Sequence, residues 1–270
     1  MKGSITTLDD TPVVHLLREP NVAAKQRILS QPGEPLFLAA WKRVLMIHFE
    51  VEAKKLQHEV PFQLDLWNGR AFISLVAFTM CGMRPRLGGK LAALLLRPIA
   101  THEFLNVRTY VRQGDECGIH FLAEWLPNLL SVRLGPATFG LPYHYGRIAY
   151  EHDWRSGRIR GRVTDAGNHA RLEYHGELIA PVAFQPCAPG SFDEWLMERY
   201  TAFNSAHGRQ RYFRVWHPAW LQRTVAASLD ETTLLTNHWP WFERAHLVGA
   251  NFSPGFEQVG MGWPRHCSKI

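Results

Sequence analysis

The chain has 270 residues, of which 46% are hydrophobic and 20% charged, with a formal net charge of +6. That balance is ordinary for a globular protein, and no apolar run approaches bilayer-spanning length; the longest, residues 91–96, is far too short. Cys81, Cys117, Cys187 and Cys267 stand far apart with no C-x-x-C spacing, which excludes a disulfide scaffold or a structural zinc module.

The positive charge comes from 23 Arg against 7 Lys, and the arginines are scattered along the chain. The densest cluster places Arg158, Arg160 and Arg162 on one strand face, which reads as a solvated face rather than a nucleic-acid footprint. The first thirty residues lack the layout of a signal peptide, so a cytoplasmic protein with reduced, mostly buried cysteines is expected.

Residues 1–34 carry turn signals and no sustained period, as an irregular arm would. From Pro35 the texture turns apolar, and residues 35–51 suit a sheet. Ala53, Leu56 and Val60 then share one helical face in a segment that should stop near Pro61. Residues 70–80 are apolar on both strand faces, which requires cover on both sides. Residues 103–125 form a hairpin about "QGDE", and residues 127–140 a helix opened by Pro127. Three segments, 144–152, 157–165 and 170–182, recur at the spacing of an antiparallel meander. Ser191 and Glu194 form a capping box for a helix over 191–203, with Phe192, Trp195, Leu196, Tyr200 and Phe203 on one face. Residues 211–220 add another strand, ended by Pro218. The sum is one α+β domain over 35–270: a large antiparallel β-barrel-like sheet with three or four flanking helices.

In order, "FLAAWKRVLMIHFEV", "FISLVAFTMCGMRPR", "HEFLNVRTYV", "FGLPYHYGRI", "SFDEWLMERY" and "VWHPAW" carry a family resemblance. The chain resembles domain-of-unknown-function family 2071, the YqjF-like bacterial proteins, within the acetoacetate decarboxylase-like superfamily. The resemblance implies a β-barrel with a central cavity. The parent enzymes form a Schiff base on a lysine whose pKa is lowered by burial and a second lysine, the pair following a Gly-x-Pro approach. Here Gly140, Leu141 and Pro142 lead to Tyr143 and His144. Neither phenol nor imidazole is a primary amine, so imine-based decarboxylation is not expected.

Alternation places Asn106, Arg108 and Tyr110 on one strand face, where a buried guanidinium needs an anionic partner or ligand. Tyr143 and His144 point to opposite faces, and Tyr143, directly after Pro142, is taken as the inward one. Glu103 aligns loosely with an acidic residue of the parent enzymes but faces away from Arg108 unless a bulge intervenes. His120 is expected to share a face with Leu122 and Glu124. Arg84 and Arg86, in the extended "GMRPR", are expected to face outward or brace a loop, with Arg84 still able to reach a carboxylate at the barrel mouth. The histidines show no H-x-H or H-x-x-x-H spacing, so no metal and no cofactor is assigned. "LGGKLAALL" lacks the spacing of a phosphate loop.

These readings converge on a domain acting on a small organic acid or keto compound. Its catalytic candidates are Tyr143, Arg108 and Glu103, and its ligand-binding candidates are Asn106, Tyr110, His120, His144 and Arg84. Whether it is an enzyme stays open, and a homo-oligomer is compatible with the pattern. The alternative is a non-catalytic sensing or interaction domain with a packed interior.

Overall fold

The computed structural model describes residues 35–179, 183–206 and 208–267. The expected arm, residues 1–34, and the end of the third meander segment lie outside them. Among the described residues, no helix is long and apolar enough to cross a membrane.

The strands are β1 (Phe37–Val51), β2 (Gln63–Leu64), β3 (Ala71–Pro85), β4 (His102–Gln113), β5 (Glu116–Leu126), β6 (Tyr143–Asp153) and β7 (Arg158–Asp165). They continue as β8 (Arg171–Leu178), β9 (Gln185–Pro186), β10 (Thr201–Ala206), β11 (Arg209–Trp216), β12 (Leu221–Glu231), β13 (His246–Met261) and β14 (Arg265–His266). The helices are short: α1 (Ala53–Glu59), α2 (Gly89–Leu96), α3 (Leu129–Phe139), α4 (Phe192–Met197) and α5 (Thr233–Thr236).

All fourteen strands join one sheet system, and the sheet returns on itself. The path β5–β6–β7–β8–β12–β13–β1–β3–β4 closes because β4 pairs with β5. A second route, β5–β10–β11–β13, rejoins the same wall. The wall of β1, β3 and β4 is therefore covered on both faces. One face carries Leu45, Ile47, Ile73, Leu75, Leu105 and Val107 against Ile159, Leu172 and Phe252. The other carries Met46, Val76, Phe78, Phe104 and Tyr110 against Trp195, Leu196 and Phe213. Residues 71–80 are buried throughout, which is why both of their faces are apolar.

The barrel-like sheet is mixed rather than wholly antiparallel. β5 pairs parallel with β6 and with β10. The helix expected over 191–203 ends at Met197. Ser191 caps it, its hydroxyl accepting from Glu194 N at 3.2 Å. Thr201 and the residues after it instead pair with β11 and β5, because sheet hydrogen bonds override a local helical period. Asn128 rather than Pro127 caps α3, accepting from Ser131 N at 3.0 Å. No periodicity marks β13, whose Gly249, Pro254, Gly255 and Gly260 interrupt any pattern, yet it pairs with β1 along nearly its whole length.

Candidate functional site

The register of the wall sets two rows of side chains side by side. In one, His48, Ser74 and Arg108 are neighbours across β1, β3 and β4. In the other, Met46, Val76, Asn106, Glu124 and Tyr143 cross from β1 to β6. Both rows share the face that carries Phe104 and Tyr110.

A β-bulge is what brings Glu124 there. Between Val107 and Arg108 the pairing on β5 jumps from Ala123 to Phe121, leaving Leu122 without an opposite residue. Residues on the two sides of the bulge therefore change faces. The sequence places His120 and Glu124 together; the structure separates them. His120 Nδ1 donates to Phe203 O at 3.0 Å and its ring lies 5.5 Å from Phe62, away from Arg108. Glu124 instead meets Asn106 and Tyr143.

Arg108 is only 7% exposed, and no carboxylate among the described residues pairs with it. Its Nη2 donates to Leu196 O at 3.3 Å and lies 3.6 Å from Met46 Sδ, while its Nε is buried with no hydrogen bond. Burial lowers its pKa, a hydrogen bond to Tyr110 opposes that, and the Arg199 charge adds to the lowering. Arg199 has its own partner, Asp65, at 2.7 Å, and stacks over Tyr110 and Trp195. Among the described residues, Arg108 thus stands inside the wall without a compensating carboxylate.

A chain of hydrogen bonds runs from it with a fixed direction. Asn251 Nδ2 donates to Gln222 Oε1 at 2.8 Å, so Asn251 Oδ1 accepts from His48 Nε2 at 3.0 Å. A neutral imidazole has one N–H, so His48 Nδ1 accepts from the Ser74 hydroxyl at 2.6 Å. Ser74 in turn accepts from the Tyr110 hydroxyl, whose remaining lone pair receives Arg108. Burial, with Arg108 nearby, holds His48 neutral by lowering its pKa to about 3.

Glu124 is 3% exposed, and its Oε1 is buried with no hydrogen bond. Desolvation lifts its pKa well above the ordinary value of about 4.5, which favours the neutral acid. Tyr143 beside it is raised as well, by burial and then by Glu124. The Tyr143 ring lies 6.0 Å from Phe104 and fits against α3 only because residue 135 is glycine: a Cβ there would fall 2.2 Å from the ring. Asn106 Oδ1 is a further buried acceptor without a donor.

The expected residues therefore divide. Arg108, Asn106, Tyr110 and Tyr143 come together. Glu103, with no bulge between it and Arg108 on β4, stays on the opposite face, where its charge acts on Tyr150 and Cys81. Arg84 is exposed at the far end of β3 and donates to Gly82 O at 3.4 Å. His144 turns away from Tyr143 and stacks on Trp125 at 5.1 Å. Sequence reasoning missed Glu124, Ser74, His48 and Asn251 as members of the site; the one local signal was a carboxylate inside the apolar run "FLAEWL". None of the described lysines is among the buried polar residues: Lys42 pairs with Glu257 and Lys55 with Glu52.

Residues 38–254 match the model of family DUF2071, described as an uncharacterized conserved protein. The uncharacterized protein YqjF of Bacillus subtilis is 27% identical over 217 residues, spanning 79% of this chain and 86% of YqjF. Among solved structures, acetoacetate decarboxylase from Legionella pneumophila superposes with a TM-score of 0.60 at 11% identity, over 89% of this chain and 93% of that one. The enduracididine biosynthesis enzyme MppR, complexed with a condensation product of pyruvate and imidazole 4-carboxaldehyde, gives 0.59 at 13% identity, over 86% and 90%. At such identities the likeness establishes the acetoacetate decarboxylase-like fold.

Proposed function

The chain belongs to the DUF2071 family, and from that premise we propose that it binds a small carboxylate or keto acid at the Arg108–Tyr143 face without an imine. The single observation carrying this reading is Arg108, a buried guanidinium with no carboxylate partner among the described residues. A ligand carboxylate would supply the missing charge. Glu124, protonated, and the Tyr143 hydroxyl would donate to a carbonyl oxygen of the same ligand, and Asn106 Oδ1 would accept from a hydroxyl or enol. Both acids hold their protons firmly, which suits polarising a carbonyl and returning a proton to an enolate. Solved relatives of the same fold support the ligand class, since MppR is described as complexed with pyruvate.

The test is a thermal-shift screen with pyruvate and other small carboxylates, run on the parent chain and on Arg108→Ala. A ligand at about a hundred times its Kd stabilises by about 2.7 kcal/mol, a shift of roughly 5 °C or more for a chain this size. The shift should vanish in Arg108→Ala. Borohydride treatment with a β-keto acid should leave no covalent adduct, and an adduct on lysine would overturn the imine-free reading.

A further inference from the structure

We propose that His144, Asp165 and His238 form a binding site for a divalent first-row metal ion of the zinc class, on the opposite face of the wall from Arg108. One ligand atom from each of the three lies within 4.8 Å of the others. They come from three places: the second residue of β6, the last residue of β7, and the loop between α5 and the 3-10 turn Pro240–Arg244. Spacings of 21 and 73 residues hide such a site from any short-motif reading.

The side chains are held as ligands are held. Trp125 is a shared platform, with the His144 ring stacked at 5.1 Å and the His238 ring edge-on at 5.2 Å. The two imidazoles stand 5.3 Å apart, nearly perpendicular. The Asp165 carboxylate is locked from behind. Its Oδ1 accepts from Gly167 N at 2.7 Å and Asn168 N at 3.1 Å, and its Oδ2 accepts from Trp125 Nε1 at 2.8 Å. A carboxylate has about four lone-pair sites, so about one remains, on the oxygen that Trp125 orients. Such supporting hydrogen bonds are what fix a ligating carboxylate.

Two observations separate this group from an ordinary polar cluster. The three side chains converge without a hydrogen bond or ion pair among them. In addition, His238 Nε2 is buried with no partner, which leaves a lone pair or N–H of this ring unmet. Tetrahedral ligands at about 2.0 Å from a metal stand about 3.3 Å apart, so binding needs only side-chain rotations that draw the three atoms inward by about 1 Å. Two imidazoles and one carboxylate suit Zn2+, Co2+ or Fe2+ rather than Mg2+ or Ca2+, and three protein ligands leave a position open to water or substrate.

The experiment uses the untagged full chain, stripped with a chelator, desalted, and titrated with Co2+ and then Zn2+ at neutral pH. One equivalent of Co2+ should give visible d–d bands without the near-ultraviolet band of a thiolate ligand, and should quench tryptophan emission through Trp125. Zn2+ should displace it. His144→Ala and His238→Ala should each weaken binding by about 100-fold or more. Circular dichroism of the metal-free proteins checks that each variant folds; His238, on a loop, is the decisive one. Binding undiminished in His238→Ala, a thiolate spectrum, or no saturable binding overturns the site. Arg108→Ala should leave Co2+ binding unchanged, so this result and the small-acid result are read separately.

Discussion

At the scale of single residues, Glu124 is the most informative side chain. A carboxyl group whose pKa rises on folding makes the folded state the tighter proton binder. Its contribution is therefore present at low pH and lost as pH climbs above the unfolded value of about 4.5. Glu124→Gln removes that penalty while keeping the shape. The variant should match the parent near pH 4.5 and become progressively more stable than it toward pH 8, by at most about 1.4 kcal/mol per pH unit. Urea titrations at several pH values measure the difference. A constant offset between the two proteins would mean that Glu124 is ionised in the fold.

At the scale of elements, the wall depends on how β13 runs beside β1. Gly255 has φ of +93°, and a Cβ on it would lie 1.9 Å from Trp41 O. Here backbone conformation and backbone contact both demand glycine. Gly255→Ala should cost about 3 kcal/mol or more, from left-handed strain and displacement of β1 together. Gly249 lies on the same strand with nothing near its missing Cβ, so Gly249→Ala should change stability by less than about 1 kcal/mol. Denaturant midpoints of the pair provide the comparison. The sheet's registers reach into the site the same way: the bulge at Arg108 and the parallel pairing of β5 with β6 decide that Glu124 and Tyr143 are neighbours.

At the scale of the whole molecule, buried histidines set the response to acid. Burial lowers His48 to about 3, and His102 and His152 to about 4 each. Groups depressed on folding contribute stability that is full above the unfolded value of about 6.5. It is lost as pH falls from there toward 3–4, because the unfolded chain takes up protons first. Each contributes a slope of at most about 1.4 kcal/mol per pH unit, and Glu124 opposes them above its unfolded value. Stability should therefore fall steeply between pH 6.5 and 4.5, and His152→Gln should make the fall shallower. His152 is a suitable choice because it bonds Arg43 O and the Tyr174 hydroxyl, each at 2.8 Å, and lies outside the Arg108 site.

Local pattern alone determined a good deal of this protein. Apolar residues on both faces of 70–80 required a doubly covered strand, and alternation along 104–110 put Asn106, Arg108 and Tyr110 together. Tyr143 and His144 after Pro142, where the family resemblance leads one to expect a lysine pair, are equally local, and the proposal of an imine-free site rests on them. These are consequences of the two-residue strand period and of side-chain chemistry, both readable within a few positions. Only the tertiary structure decided the rest. It moved Glu124 across a bulge, ended α4 where β10 found a partner, and threaded the glycine-broken β13 beside β1. It also joined His48, Ser74 and Asn251 into one directed chain and gathered His144, Asp165 and His238 from three segments. Each of those outcomes depends on which strands pair and in what register, and pairing is settled by long-range burial that no short window of sequence contains.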